Sequence, residues 1–98
     1  MGSRFSRKGP PYWTHIPPAD GQPGLTMDWI DDCQEAMDAA IRRVENWFAE
    51  DEKSNLWVAL FIGRTEQRGD IRRAAYETAF IWRLQQRLAS QPTAVLDA

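Results

Sequence analysis

Cys33 and His15 are the only cysteine and the only histidine in this chain of 98 residues. Cysteine-based catalysis needs a thiolate held against a base. Cys33 falls on the apolar stripe of a predicted helix, where a thiol behaves as a small, inert hydrophobe. His15 stands beside Trp13 in a proline-rich stretch and reads as a solvated or locally packed imidazole. A zinc site needs three or four nitrogen and sulfur ligands, which one Cys and one His do not supply. Asp31, Asp32 and Glu35 follow Asp28 at three, four and seven residues, a spacing that gathers carboxylates on one side of a helix. Such oxygens can hold Mg²⁺ or Ca²⁺. With no opposing acidic group and no phosphate-binding glycine loop, they read instead as acids favoured near a helix N-terminus. No catalytic residue, metal or cofactor is expected, and the chain reads as a non-enzyme.

The cations suggest a different chemistry. Arg64, Arg68 and Arg72 recur every four residues with Arg73 adjacent, a stripe suited to phosphate or to an acidic partner if a helix ran through them. Gly69 interrupts that line, and Glu66, Asp70 and Glu77 dilute it. Arg4, Arg7 and Lys8 precede Tyr12 and Trp13, a basic-plus-aromatic arrangement that could stack on nucleic acid. Against this, the formal net charge is −2. Residues 1–24 carry +2, residues 25–54 carry −6 and residues 55–98 carry +2. An acidic middle between mildly basic ends suits self-complementary or protein partners better than a polyanion.

Five tryptophans are many for so short a chain. Trp29, Trp47, Trp57 and Trp82 fall in predicted helices and Trp13 in the N-terminal stretch. A three-helix body hides two or three large aromatics, so at least one is expected to stay exposed or to lie at an interface.

The elements that must position these groups follow from periodicity. Residues 1–25 hold five of the six prolines and four of the six glycines, and read as an extended arm with Phe5, Tyr12, Trp13 and Ile16 as apolar anchors. Thr26 is the expected N-cap of a first helix over 27–50, in which Ile30, Cys33, Met37, Ala40, Val44 and Trp47 step by three and four. Ile41 and Phe48 widen that stripe. The apolar run 56–62 (LWVALFI) fits a buried strand or a helix equally by periodicity. The absence of a second convincing strand favours a helix over 55–67, ending at Gly69. A third helix begins at Asp70, carries Ile71, Ala75, Ile81, Trp82, Leu84 and Leu88, and stops before Pro92.

These readings combine into an all-α fold: a small three-helix bundle with an extended Pro/Gly-rich N-terminal arm. The expected divisions are an arm over 1–25, a helical domain over 26–92 and a flexible tail over 93–98. A lone cysteine gives no sign of an oxidising compartment. The longest apolar run, seven residues, is far short of the ~20 that span a bilayer. Met1 to Ser6 fits the short N-myristoylation pattern, which chance often matches; the expectation is a cytoplasmic protein with no membrane partner. The favoured function is a non-enzymatic protein-binding module: an adaptor, small acidic chaperone, assembly factor or inhibitor of a larger machine. It would recognise its partner through Trp13, Trp29 and the acidic group Asp28, Asp31, Asp32 and Glu35, and form a homodimer through the first helix. The alternative is a nucleic-acid-associated accessory protein using Arg4, Arg7, Lys8, Arg64, Arg68, Arg72 and Arg73.

Overall fold

The structure, a computed structural model, describes residues 11–89. Its elements are β1 (Tyr12–Ile16), β2 (Leu25–Trp29), α1 (Gln34–Ala49), α2 (Leu56–Thr65) and α3 (Asp70–Ala89). The fold is therefore α+β, and the expectation of an all-α bundle with an extended arm is corrected. β1 and β2 form an antiparallel hairpin in which Tyr12 faces Trp29 and Ile16 faces Leu25. The expected boundary between arm and helical domain falls inside β2.

The hairpin forms for reasons that are local. Asp20 and Gly21 both have positive φ, 54° and 77°, the conformation demanded by the tight turn whose twist matches paired strands. Two backbone hydrogen bonds close that turn between Ala19 and Gln22. Leu25, Met27 and Trp29 then alternate with exposed Thr26 and Asp28, the period of two that a half-buried strand requires. Opposite them Thr14 and Ile16 are buried. The Thr14 hydroxyl donates to the Met27 carbonyl at 3.2 Å and accepts the Trp29 indole N–H at 3.1 Å, so neither polar group is stranded on the inner face.

The helix expected from residue 27 begins instead at Gln34, with Cys33 rather than Thr26 at the N-cap position. The apolar stripe holds from that point: Cys33, Met37, Ala40 and Val44 are fully buried. Ile30, read as its first member, is 71% exposed because it belongs to the segment leaving β2. Asp31 accepts from Arg72 Nη2 at 3.1 Å, and Arg83 Nη1 donates to Glu45 at 2.8 Å. These two contacts show that α1 and α3 run side by side in the same direction. Between them lie Ala75, Tyr76, Ala79 and Phe80 of α3, which complete the core.

The hairpin and α2 occupy different flanks of α1. On one flank, the Gln34 side chain accepts the His15 backbone N–H and donates to the His15 carbonyl, covering part of the outer edge of β1. On the other, Ala39, Arg43 and Trp47 look across at α2. The run 56–62 is helical, as its lack of a strand partner implied, and Asn55 caps it by accepting from Trp57 N–H at 2.9 Å and Val58 N–H at 3.2 Å. Among the described residues, no helix is long and apolar enough to cross a membrane.

Candidate functional site

α2 has apolar side chains almost all round, a composition normally confined to helices buried on every side. Here only half of it is covered. Ala59 and Gly63 are buried, Leu56 and Leu60 pack partly against the core, and Trp57, Val58, Phe61 and Ile62 face outward. Trp57 is 65% exposed, and its ring lies 5.9 Å from that of Phe61. Four large apolar side chains at positions i, i+1, i+4 and i+5 make a continuous strip, not scattered exposure, and such strips mark interaction surfaces.

Two features fix the strip in place. The first is the close approach of α2 to α3: a Cβ added at Gly63 would overlap the Tyr76 hydroxyl, so only glycine permits this packing. Arg64 hydrogen-bonds Glu77 beside it and sets the register of the two helices. The second is the connection from α1. Trp47 Nε1 donates to the Ser54 carbonyl at 2.7 Å, and the Glu50 carboxylate accepts from Ser54 N–H at 2.8 Å. Lys53 Nζ donates to the Phe48 and Glu50 carbonyls at 2.9 and 2.7 Å, closing the C-terminal end of α1. Burial pushes the Tyr76 phenol above its usual pKa, with the nearby Arg43 charge pulling the other way.

The residues singled out from sequence are distributed differently. Trp13 and Asp28 are brought together as cross-strand partners on the outer face of the hairpin, both exposed. Trp29 lies on the inner face and packs against the core. The four acids do not share one helix face: Asp28 is in β2, Asp31 and Asp32 follow it, and Glu35 sits in the first turn of α1. Asp31 is bound to Arg72, whose Nε also donates to the Asp32 carbonyl at 3.0 Å. Of the basic set, Arg64 is paired with Glu77, Arg72 with Asp31 and Arg73 with Asp70; Arg68 is exposed. Arg4, Arg7 and Lys8 lie outside the described residues. Burial, then the Asp31 charge, push the Cys33 thiol up, away from the thiolate that reactivity requires. His15 Nδ1 lies 3.2 Å from Thr26 Oγ1.

The α2 strip was not among the expected site residues. The signal for it was present: a seven-residue apolar run, if helical, cannot be buried on all sides in a chain with only two other helices to cover it.

Comparison with known proteins gives this surface a context. No curated protein matches the chain. A chain in the crystal structure of a LasR LBD–QslA complex from Pseudomonas aeruginosa is similar at 42% identity and a TM-score of 0.75, over 80% of this chain and 83% of that one. Residues 18–88, from the hairpin turn to the end of α3, match the family model described as LasR-specific antiactivator QslA. The chain belongs to the LasR-specific antiactivator QslA family.

Proposed function

We propose that this chain is an antiactivator that binds the ligand-binding domain of a LasR-type transcription regulator in the cytoplasm and inhibits it by occupancy, without catalysis. The family membership and the similar chain in a LasR LBD complex support the partner class. The observation that carries the mechanism is the exposed strip Trp57, Val58, Phe61 and Ile62, mounted on a helix whose other side is anchored in the core. Large apolar and aromatic side chains grouped in this way supply most of the free energy in protein interfaces. Exposed Asp28, with Trp13 beside it, lies on the hairpin, and exposed Asp32 and Glu35 line a second groove with Arg42, Glu66 and Arg68; in this reading they steer encounter rather than hold the complex. Trp29 and Asp31 serve the fold. A second copy of the chain would find the α1 stripe already buried, so self-association would have to use an exposed face such as that of α2.

The test is titration calorimetry of the chain and of Phe61→Asp with the LasR ligand-binding domain. A charge at the centre of the strip should weaken binding at least ~100-fold, with the thermal melt of the free chain unchanged. Equal affinity of the two proteins would remove α2 from the interface.

A further inference from the structure

The two edges of the hairpin are not equivalent. Antiparallel neighbours alternate between pairs that exchange backbone hydrogen bonds and pairs that do not. His15 turns its backbone groups away from β2: its N–H donates to Gln34 Oε1 at 3.0 Å, and its C=O accepts from Gln34 Nε2 at 3.3 Å. His15 and Thr26 are therefore an unbonded pair, and so are Trp13 and Asp28 two residues along. It follows that Thr26 and Asp28 point their own N–H and C=O groups outward from the far edge of β2. On the β1 edge, the Gln34 carboxamide makes both bonds that a neighbouring strand would make. On the β2 edge, no backbone group or side chain among the described residues takes that part. A second observation points the same way. Thr14 and Ile16, on the inner face of β1, are 2% and 0% exposed, whereas Leu25, Met27 and Trp29, on the same face of β2, pack against the core and remain partly exposed. The apolar layer beneath the hairpin thus reaches the β2 edge and stops there without cover.

We propose that the β2 edge receives an extended segment of a partner protein as a third strand, one in which apolar and basic side chains alternate. Its backbone pairs with the outward groups of Thr26 and Asp28, as peptides do when they add to an open sheet edge. Its inward side chains continue the layer of Leu25, Met27 and Trp29, which calls for aliphatic residues at every second position. Its outward side chains lie opposite Thr26 and Asp28. Asp28 is exposed and belongs to no ion pair among the described residues, so a lysine or arginine suits that place. A second copy of this chain fits less well, because its β2 would bring another Asp28 to the same short ladder. This surface is separate from the α2 strip and does not depend on what α2 binds.

Amide hydrogen exchange of the full, isotope-labelled chain, followed by NMR, reads this edge directly. In the free chain the Thr26 and Asp28 amides should exchange at least ~10-fold faster than the Met27 amide, which faces Thr14 within the ladder. A capped peptide of alternating valine and lysine should slow both by at least ~10-fold, and its valine–glutamate counterpart should not. Asp28→Lys changes an exposed side chain, so the thermal melt should hold while the preference between the two peptides reverses. Slow exchange of Thr26 and Asp28 in the free chain overturns the proposal: independent of concentration, it means that the chain covers its own edge, and growing with concentration, that a second copy does. Fast exchange that the valine–lysine peptide leaves untouched overturns it as well. Equal protection by the two peptides, or a preference that Asp28→Lys does not move, overturns the basic chemistry assigned to the incoming strand.

Discussion

The hairpin and α2 flank the same helix but are attached by opposite means. The hairpin buries its larger inward side chains and is tied down through polar groups. Gln86 Nε2 donates to the Pro17 and Pro23 carbonyls at 3.0 and 2.9 Å, Arg83 Nη2 reaches Pro17 at 3.3 Å, and the Trp82 indole reaches Pro23 at 3.3 Å. These donors meet carbonyls flanking a proline-rich turn, where the backbone has few N–H groups of its own to offer. α2 does the reverse. It faces the core with Ala59 and Gly63, turns its largest side chains to solvent, and is fixed mainly by sterics and its end connections, with the Arg64–Glu77 pair setting its register. A stretch whose bulk faces inward contributes to stability; one whose bulk faces outward contributes to recognition. Loss of fold and loss of partner binding should therefore separate between the two regions.

Arg83→Ala gives the largest expected effect on stability. Arg83 is 8% exposed and joins Glu45, Gln86 and the Pro17 carbonyl. Its removal leaves Glu45, about a third exposed and 3.6 Å from Arg87, without its closest partner. Losing a largely buried charged partner costs about 3 kcal/mol, which urea denaturation would read directly. Affinity of the folded protein for the regulator domain should stay within about twofold, the ordinary limit of additivity between distant sites. A parallel loss of affinity would break the comparison.

Gly63→Ala sharpens it from the other side. In an exposed helix this change adds about 1 kcal/mol of stability. Here the new methyl meets the Tyr76 hydroxyl and the ring behind it, and Tyr76 is 1% exposed. Overpacking of about 1–3 kcal/mol should win. The relaxation available is for α2 to tilt outward, so binding should weaken by more than the stability loss explains. A variant that is more stable and binds normally would show that the α2–α3 contact is slack.

How much of this was legible in the sequence depended on whether local pattern or tertiary context decided each element. The stripe from Cys33 to Val44, the helical state of 56–62, the break at Gly69 and the start of α3 at Asp70 all follow from apolar spacing and punctuation in the chain. The hairpin was hidden by its prolines. Pro17, Pro18 and Pro23 suggest an arm, yet none falls within a strand; they flank the Asp20–Gly21 turn instead. Leu25, Met27 and Trp29 already alternate with Thr26 and Asp28, but the aspartates that follow resemble a helix N-terminus, and that pattern masked the period of two. Trp57 and Phe61 could be recognised as surface only after the number of layers was known, because burial on the far side of a helix is a property of its neighbours.

The smallest expected effect tests the end connection of α2. The Ser54 backbone N–H, before any other influence, holds the Glu50 carboxyl below its ordinary 4.5, with the Ser54 hydroxyl and Lys53 also favouring its charged form. A carboxyl whose folded value is depressed releases its proton more readily in the native state than in the unfolded chain. The stability it contributes is therefore complete above about pH 4.5 and disappears as pH falls through the depressed value. Thermal melts of the parent chain and Glu50→Gln should differ slightly at neutral pH and converge in acid. Because the clasp orients the first turn of α2 and not its core contacts, the same variant should weaken regulator binding modestly at neutral pH. A difference in melting that persists unchanged into acid would mean that Glu50 acts through packing and not through its charge, leaving Trp47 and the Asn55 cap to set the pitch of the helix.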